Sequence, residues 1–194
     1  MPLGEDGVDA AVVIDELVRG VEGGILGSAG PRFFGLVIGG SLPAALAADW
    51  LTSAWDQNAG MYACAPAAAV VEEVAGEWLK DVLGIPGEAS FALVTGCQMA
   101  HVTCLLAARR ALLARVGWDV EMEGMAGSPP IRILTSTEVH ATAVRALRML
   151  GMGQKHVVAL PVDEQGRLRE DALVAALERD ANAPTLVVLQ AGDL

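Results

Sequence analysis

Residues 90–110 read SFALVTGCQMAHVTCLLAARR. Phe91–Val94 is a short apolar run ending in a β-branched residue, and Thr95-Gly96 breaks it. From Cys97 onward apolar side chains return at helical spacing, with Val102, Leu105, Leu106 and Leu113 on one face. Arg109, Arg110 and Arg115 gather toward the far end, where cations suit a helix C-terminus. The pattern predicts strand, tight turn, helix. Such a turn aims free backbone N–H groups and the positive end of a helix dipole at one point, which suits a phosphate. Every α/β unit has strand-to-helix turns, so by itself the stretch speaks first to fold class and only second to a ligand.

Downstream the alternation continues. Ile131–Thr135, His156–Leu160 and Thr185–Leu189 read as strands. Ser136–Leu150, entered through the polar turn STEVH, and Arg169–Arg179, with Leu173, Val174, Ala176 and Leu177 inward, read as helices. Trp118–Pro130, with Gly, Ser and paired Pro, reads as an exposed connection. Strand–helix alternation implies right-handed crossovers and a mostly parallel sheet with helices on both faces.

Upstream, Val8–Val21 has the spacing of an amphipathic helix, Glu22–Arg32 is a Gly-rich loop, and Phe33–Leu42 is irregular or extended. Pro43 suits the first turn of a helix through Ala44–Ala54, with Ser41 as its cap. Asp56–Cys64 is a polar break carrying the sole tyrosine, Tyr62. Pro66–Leu83 is a long helix with Val70, Val71, Val74, Trp78, Leu79, Val82 and Leu83 on one side. Its other side carries Glu72, Glu73, Glu77, Lys80 and Asp81, and Gly84 and Pro86 end it.

Composition bounds the function. Hydrophobic residues make up 53% and charged residues 19% of the 194 residues, which excludes a disordered chain. Thirteen basic against 24 acidic residues leave a formal charge of −11, which argues against nucleic acid and anionic membranes as partners. Three cysteines without regular spacing do not make a disulfide framework, so a reducing cytoplasm is expected. The acidic N-terminus lacks the basic region of a secretory signal, and apolar runs such as Leu36–Ala48 are broken by Gly and Pro.

Few residues offer chemistry. His140 follows the strand Ile131–Thr135 and falls at the same sheet edge as the Thr95–Gln98 turn; a half-buried helix histidine is the plainer alternative. Cys97, His101 and Cys104 share one helix face, but structural zinc wants four ligands, so no metal site is expected and buried core cysteines are the ordinary explanation. No GxSxG, Walker or GxGxxG signature occurs. The two lysines, Lys80 and Lys155, read as solvated surface charges.

Six stretches taken together resemble one family, the group II pyridoxal-5′-phosphate-dependent amino-acid decarboxylases, aromatic-amino-acid/glutamate decarboxylase-like enzymes of fold type I. They are PRFFGLVIGGS (31–41), WDQNAGMYACAP (55–66), VVEEVAGEWLKDVLGIP (70–86), FALVTGCQMAHVTCLLAARR (91–110), STEVHATAVRALRMLGM (136–152) and TLVVLQAGDL (185–194). The resemblance implies an N-terminal helical segment (1–65) with dimer and substrate-pocket contacts, then an incomplete cofactor-binding large domain (66–194) with a mostly parallel sheet.

By resemblance, Thr95, Gly96, Cys97 and Gln98 match the loop that holds the cofactor phosphate, and His140 matches the histidine stacked on the pyridine ring. Phe33–Ser41 and Asp56–Tyr62 match pocket-shaping regions. Leu36, Val37, Ile38, Gly39 and Gly40 replace the aromatic residues and Pro-Thr found there in the aromatic-amino-acid enzymes, so substrate identity does not transfer. Cys97 and Gln98 replace small hydroxyl-bearing residues; backbone donation survives that change. The lysine that attaches the cofactor and the aspartate that pairs with its ring nitrogen are expected beyond Leu194. The implied function is therefore the N-terminal part of a pyridoxal-phosphate-dependent carboxy-lyase, homodimeric and inactive alone. A non-catalytic scaffold, a subunit of a split enzyme, and another fold-type-I lyase are the alternatives.

Overall fold

A computed structural model describes residues 6–35 and 38–191. The chain forms two compact units, Met1–Ala75 and Gly76–Leu194. In the first, helix α1 spans Ala10–Gly20, capped by Asp9, whose carboxylate accepts the Ala11 N–H at 2.9 Å. Helix α2, Pro43–Trp55, has Pro43 in its first turn as expected. Its N-cap is Leu42, which lends no side-chain oxygen, so Ser41 does not cap it. Asp56 ends it in the left-handed conformation at φ 47°. Val12, Ile14, Leu17, Trp50 and Leu51 on these helices are exposed. Leu36 and Val37, expected near the substrate pocket, lie outside the described residues.

Helix α3, Pro66–Leu83, begins in the first unit and runs into the second. Gly84, at φ +65°, ends it, and the Ile85 N–H reaches back to Lys80 O at 2.9 Å. Lys80 is not the solvated charge its polar helix face suggests. It is 8% exposed, and its ammonium donates to Gly87 O at 2.8 Å and Ala89 O at 3.1 Å and pairs with Glu77 at 2.8 Å. The loop after the helix folds back over the lysine, and its carbonyls replace the water the ammonium gives up.

The second unit continues with α4 (Cys97–Arg115), α5 (Val120–Glu123), β1 (Arg132–Ser136) and α6 (Ala141–Met149). A 3-10 turn at Gln154–His156 leads into β2 (Val157–Leu160), followed by α7 (Glu170–Arg179) and β3 (Thr185–Val187). The sheet order is β2-β1-β3, and both neighbours run parallel to β1. Successive strand residues face opposite sides, and the core divides accordingly. Ile133, with its register partners Val157 and Leu186, packs on Leu105 and Leu113 of α4 and Ala146 and Leu147 of α6. Leu134, with Val187 and Leu160, packs on Ala176 and Leu173 of α7. Helices thus cover both faces of a parallel sheet, as the alternation predicted.

Arg132 fastens the first strand residue to the far end of α7. Its guanidinium donates to Ala176 O at 2.6 Å and Thr185 Oγ1 at 3.0 Å, and lies 3.5 Å from the Asp180 carboxylate. Arg109 on α4 donates to Leu150 O at 2.6 Å, closing the C-terminus of α6.

Three local readings are corrected. Phe91–Val94 forms no strand, because no described strand lies beside it to complete a ladder. The Phe91 ring instead occupies the space that a Cβ at Gly76 of α3 would need. Trp118–Pro130 is no plain exposed connection: α5 lies within it, Val120 is buried, and Trp118 and Met125 pack against the core. On the predicted inner faces, Leu106, Val174 and Leu177 are exposed, because single layers of α4 and α7 cover the sheet with narrower stripes than the sequence pattern suggests.

Candidate functional site

Strand β1 sits in the middle of the sheet, and the chain leaves it for β2 on one side, then crosses to β3 on the other. In open α/β sheets ligands bind beyond the carboxyl ends of the strands, so the segments that follow β1 and β3 are the place for one. Residues 137–140 follow β1 at this edge and Gln190 follows β3. Two bonds tie the strand ends together. Thr135 Oγ1 donates to Val188 O at 3.2 Å, and the His140 backbone N–H donates to Gln190 Oε1 at 3.2 Å.

His140 is the N-cap of α6, at φ −64° and ψ 137°. Its Nδ1 accepts the Thr142 N–H at 3.3 Å and lies 2.6 Å from Thr142 Oγ1. An Nδ1 that accepts carries no proton, so the neutral ring holds its proton on Nε2, an assignment made from the hydrogen bonds. The ring is exposed. The half-buried helix histidine weighed from sequence is thus set aside: His140 caps a helix and presents Nε2 outward.

Gly96 is the N-cap of α4, at φ 135° and ψ 175°, a backbone region that essentially only glycine visits. A glycine cap has no side chain to offer, so the first-turn N–H groups of Cys97, Gln98 and Met99 have no capping partner, while the Ala100 N–H bonds Gly96 O at 3.0 Å. Nothing lies within 4 Å of where a Cβ at Gly96 would stand. Open space beside uncapped N–H groups at a helix start fits the phosphate end of a phosphorylated cofactor. Thr95 and Cys97 are exposed at the same turn.

The structure brings the turn and the histidine together through Gln98, whose Nε2 donates to Thr142 O at 3.2 Å. Its Oε1 is buried without a partner. The remaining candidates stand apart. Cys97 and Cys104 are exposed, so the buried-cysteine reading fails. Among the described residues no group of three or more His, Cys, Asp or Glu could hold a metal ion. Lys80 is engaged by Glu77 and the two loop carbonyls. Lys155 lies before β2, at the amino edge of the parallel sheet, opposite His140.

Sequence reasoning missed Thr142, Gln190 and Gly76. A polar residue directly after an apolar strand at the carboxyl edge was a readable signal for Gln190. Thr142 and Gly76 carry none, since a threonine in a first turn and a glycine within a helix fit many roles.

The family model described as the pyridoxal-dependent decarboxylase conserved domain matches residues 5–193. Aromatic-L-amino-acid decarboxylase of Bacillus atrophaeus is 28% identical over 97% of this chain and 38% of its own length. Tryptophan decarboxylase 1 of Oryza sativa subsp. japonica is 27% identical over 93% of this chain and 38% of its own. The crystal structure of Oryza sativa TDC with PLP superposes with a TM-score of 0.80 at 25% identity, covering 96% of this chain and 42% of that one. Mouse CSAD gives 0.83 at 22% identity, covering 97% and 38%, a likeness of fold. The chain spans about two fifths of the length of the relatives it matches.

Proposed function

Because the chain belongs to the pyridoxal-dependent decarboxylase family, we propose that it forms the phosphate-binding and ring-facing part of an enzyme that removes the carboxylate of an amino acid as carbon dioxide. The observation that carries this reading is the uncapped start of α4 at Gly96, tied through Gln98 to Thr142, which His140 caps at the carboxyl edge of β1. Pyridoxal phosphate, when bound, supplies an electron sink for the pair left by the departing carboxylate.

This chain's residues do the holding. The first-turn N–H groups of Cys97, Gln98 and Met99 bind the phosphate, and Thr95 flanks it. His140 would face the ring of the cofactor and, with its proton held at Nε2, could orient a substrate carboxylate. Neither Lys80 nor Lys155 stands at this edge, so the attaching lysine and the ring-nitrogen aspartate come from residues outside these 194. That part of the proposal is supported by the 38% of each curated relative that is matched. Residues 1–65 serve subunit and pocket contacts in a homodimer, a role supported by the exposed apolar side chains of α1 and α2. The three free thiols support a cytoplasmic setting. No helix among the described residues is long and apolar enough to cross a membrane.

Titration of the isotope-labelled protein with pyridoxal phosphate tests the site. The amides of Cys97, Gln98 and Met99 and the His140 ring should shift together; shifts confined elsewhere would overturn the assignment. Borohydride treatment of the same sample, followed by mass measurement, should leave Lys80 and Lys155 unmodified. An adduct on either lysine would place the chemistry elsewhere. A non-catalytic scaffold is the second reading, favoured by the placement of those two lysines away from that edge; turnover by the natural full-length protein excludes it.

A further inference from the structure

We propose that Gln98 is a positioning residue that couples occupancy of the Gly96–Met99 turn to His140. The inference rests on the reading of that turn as the phosphate site. Gln98 is the second residue of α4, so its backbone N–H belongs to the uncapped first turn, while its side chain crosses to the first turn of α6 and donates to Thr142 O at 3.2 Å. Thr142 is in turn the residue whose N–H and hydroxyl meet His140 Nδ1, at 3.3 and 2.6 Å. One threonine is thus gripped at its carbonyl by the phosphate turn and at its N–H and hydroxyl by the histidine.

The amide orientation says which end of Gln98 matters. Turning it over would set Oε1 against the Thr142 carbonyl, two acceptors facing each other. The orientation that puts the donor on Thr142 leaves Oε1 buried without a partner. The bond to α6 is kept even though the oxygen goes unsatisfied. A serine or threonine at this position would be too short to reach across. Gln190 completes the frame from the third segment, accepting the His140 N–H at 3.2 Å. A phosphate drawn onto the α4 start therefore moves Gln98, and Gln98 moves the cap of α6, which is His140.

The test is a titration of the full-length labelled protein with inorganic phosphate, following the Cys97 and Met99 amides and the His140 ring nitrogens, the latter assigned with His140→Asn. In the parent protein both sets should shift along one curve; amide shifts without a response at His140 would overturn the coupling. In Gln98→Met, which keeps length and volume but removes the donor, the amides should still respond and the ring should no longer follow. A ring that follows equally well would sink the proposal. Gln98→Leu, which also removes the donor and adds no charge at the helix start, serves if the methionine variant does not fold, with the same expectation. If phosphate shifts nothing in the parent, the phosphate reading fails by itself, and the ligand-free spectra decide the coupling. A His140 ring displaced in Gln98→Met supports it, and one left unchanged refutes it.

Discussion

At the N-cap of α6 the imidazole of His140 commits Nδ1 to Thr142 and leaves Nε2 as its free nitrogen. His140→Ala removes both functions. Loss of the cap should lower stability by about 1 kcal/mol, read from denaturant midpoints. In the enzyme proposed above, loss of Nε2 should lower turnover far more than cofactor content, since the first-turn amides of α4 are untouched; unchanged turnover would remove His140 from the proposed site. Gly96 has open space around its absent Cβ, so crowding is not what a larger residue would suffer there. The constraint is the backbone at φ 135° and ψ 175°. Gly96→Val should therefore cost on the order of 1–3 kcal/mol and distort the turn, with weaker cofactor retention by absorbance after dialysis. Asp163 gives a pH effect of known sign. The backbone N–H of Arg167, then that of Gln165, hold its carboxyl below the usual range. Its contribution is present above the ordinary carboxylate pKa and is lost as pH falls through the lowered folded value. Asp163→Asn should accordingly lose less stability than the parent as pH falls below the ordinary carboxylate range, measured by thermal unfolding.

At the scale of elements, Arg132 links the start of β1 to the end of α7 and to β3 with a half-buried guanidinium. Arg132→Met keeps the stem but strands Ala176 O and Thr185 Oγ1, and should cost about 2–3 kcal/mol in denaturant unfolding. A cost near zero would mean that water replaces the guanidinium. Helices were legible wherever breakers framed them: Pro66 and Gly84 bound α3, and Gly96 opens α4. The strands β1, β2 and β3 were legible as short apolar runs between polar turns. Phe91–Val94 has the same look, yet a strand is defined by a neighbour, and composition within four residues carries no information about one. Lys80 misled for a related reason. Helical periodicity assigns it to a polar face, while the loop that buries it lies seven and nine residues further on. Of the candidate site, the helix start at Gly96 and the strand-end position of His140 were legible because turn geometry and strand-end placement are local; the bridge from Gln98 to Thr142 spans 44 residues and was not.

For the whole molecule, the distribution of apolar surface is the informative quantity. The second unit buries Leu113, Ile133, Leu134 and Leu147 completely, while Val70, Val71, Trp78 and Val82 on α3 remain exposed, as do the apolar residues of α1 and α2. Apolar surface of this extent in a chain of net charge −11 is expected to be covered by a second copy in the dimer proposed above. Sedimentation of the natural full-length protein should give a dimer, and Trp78→Glu should shift it toward monomer. A monomeric parent would leave those faces to another partner.

The sheet order also sets a timetable. A parallel strand pair needs the whole intervening crossover before it can close, and β1 waits first for β2 and then, across α7, for β3. The contact between the His140 backbone and Gln190 is separated by 50 residues and belongs to the last of these closures. On a ribosome emitting the chain from its N-terminus, the Gly96 turn and His140 are both synthesised long before the strand that brings Gln190 to them. That contact is thus among the last features of this unit to mature, and a nascent chain stalled before β3 would display the histidine without Gln190 beside it.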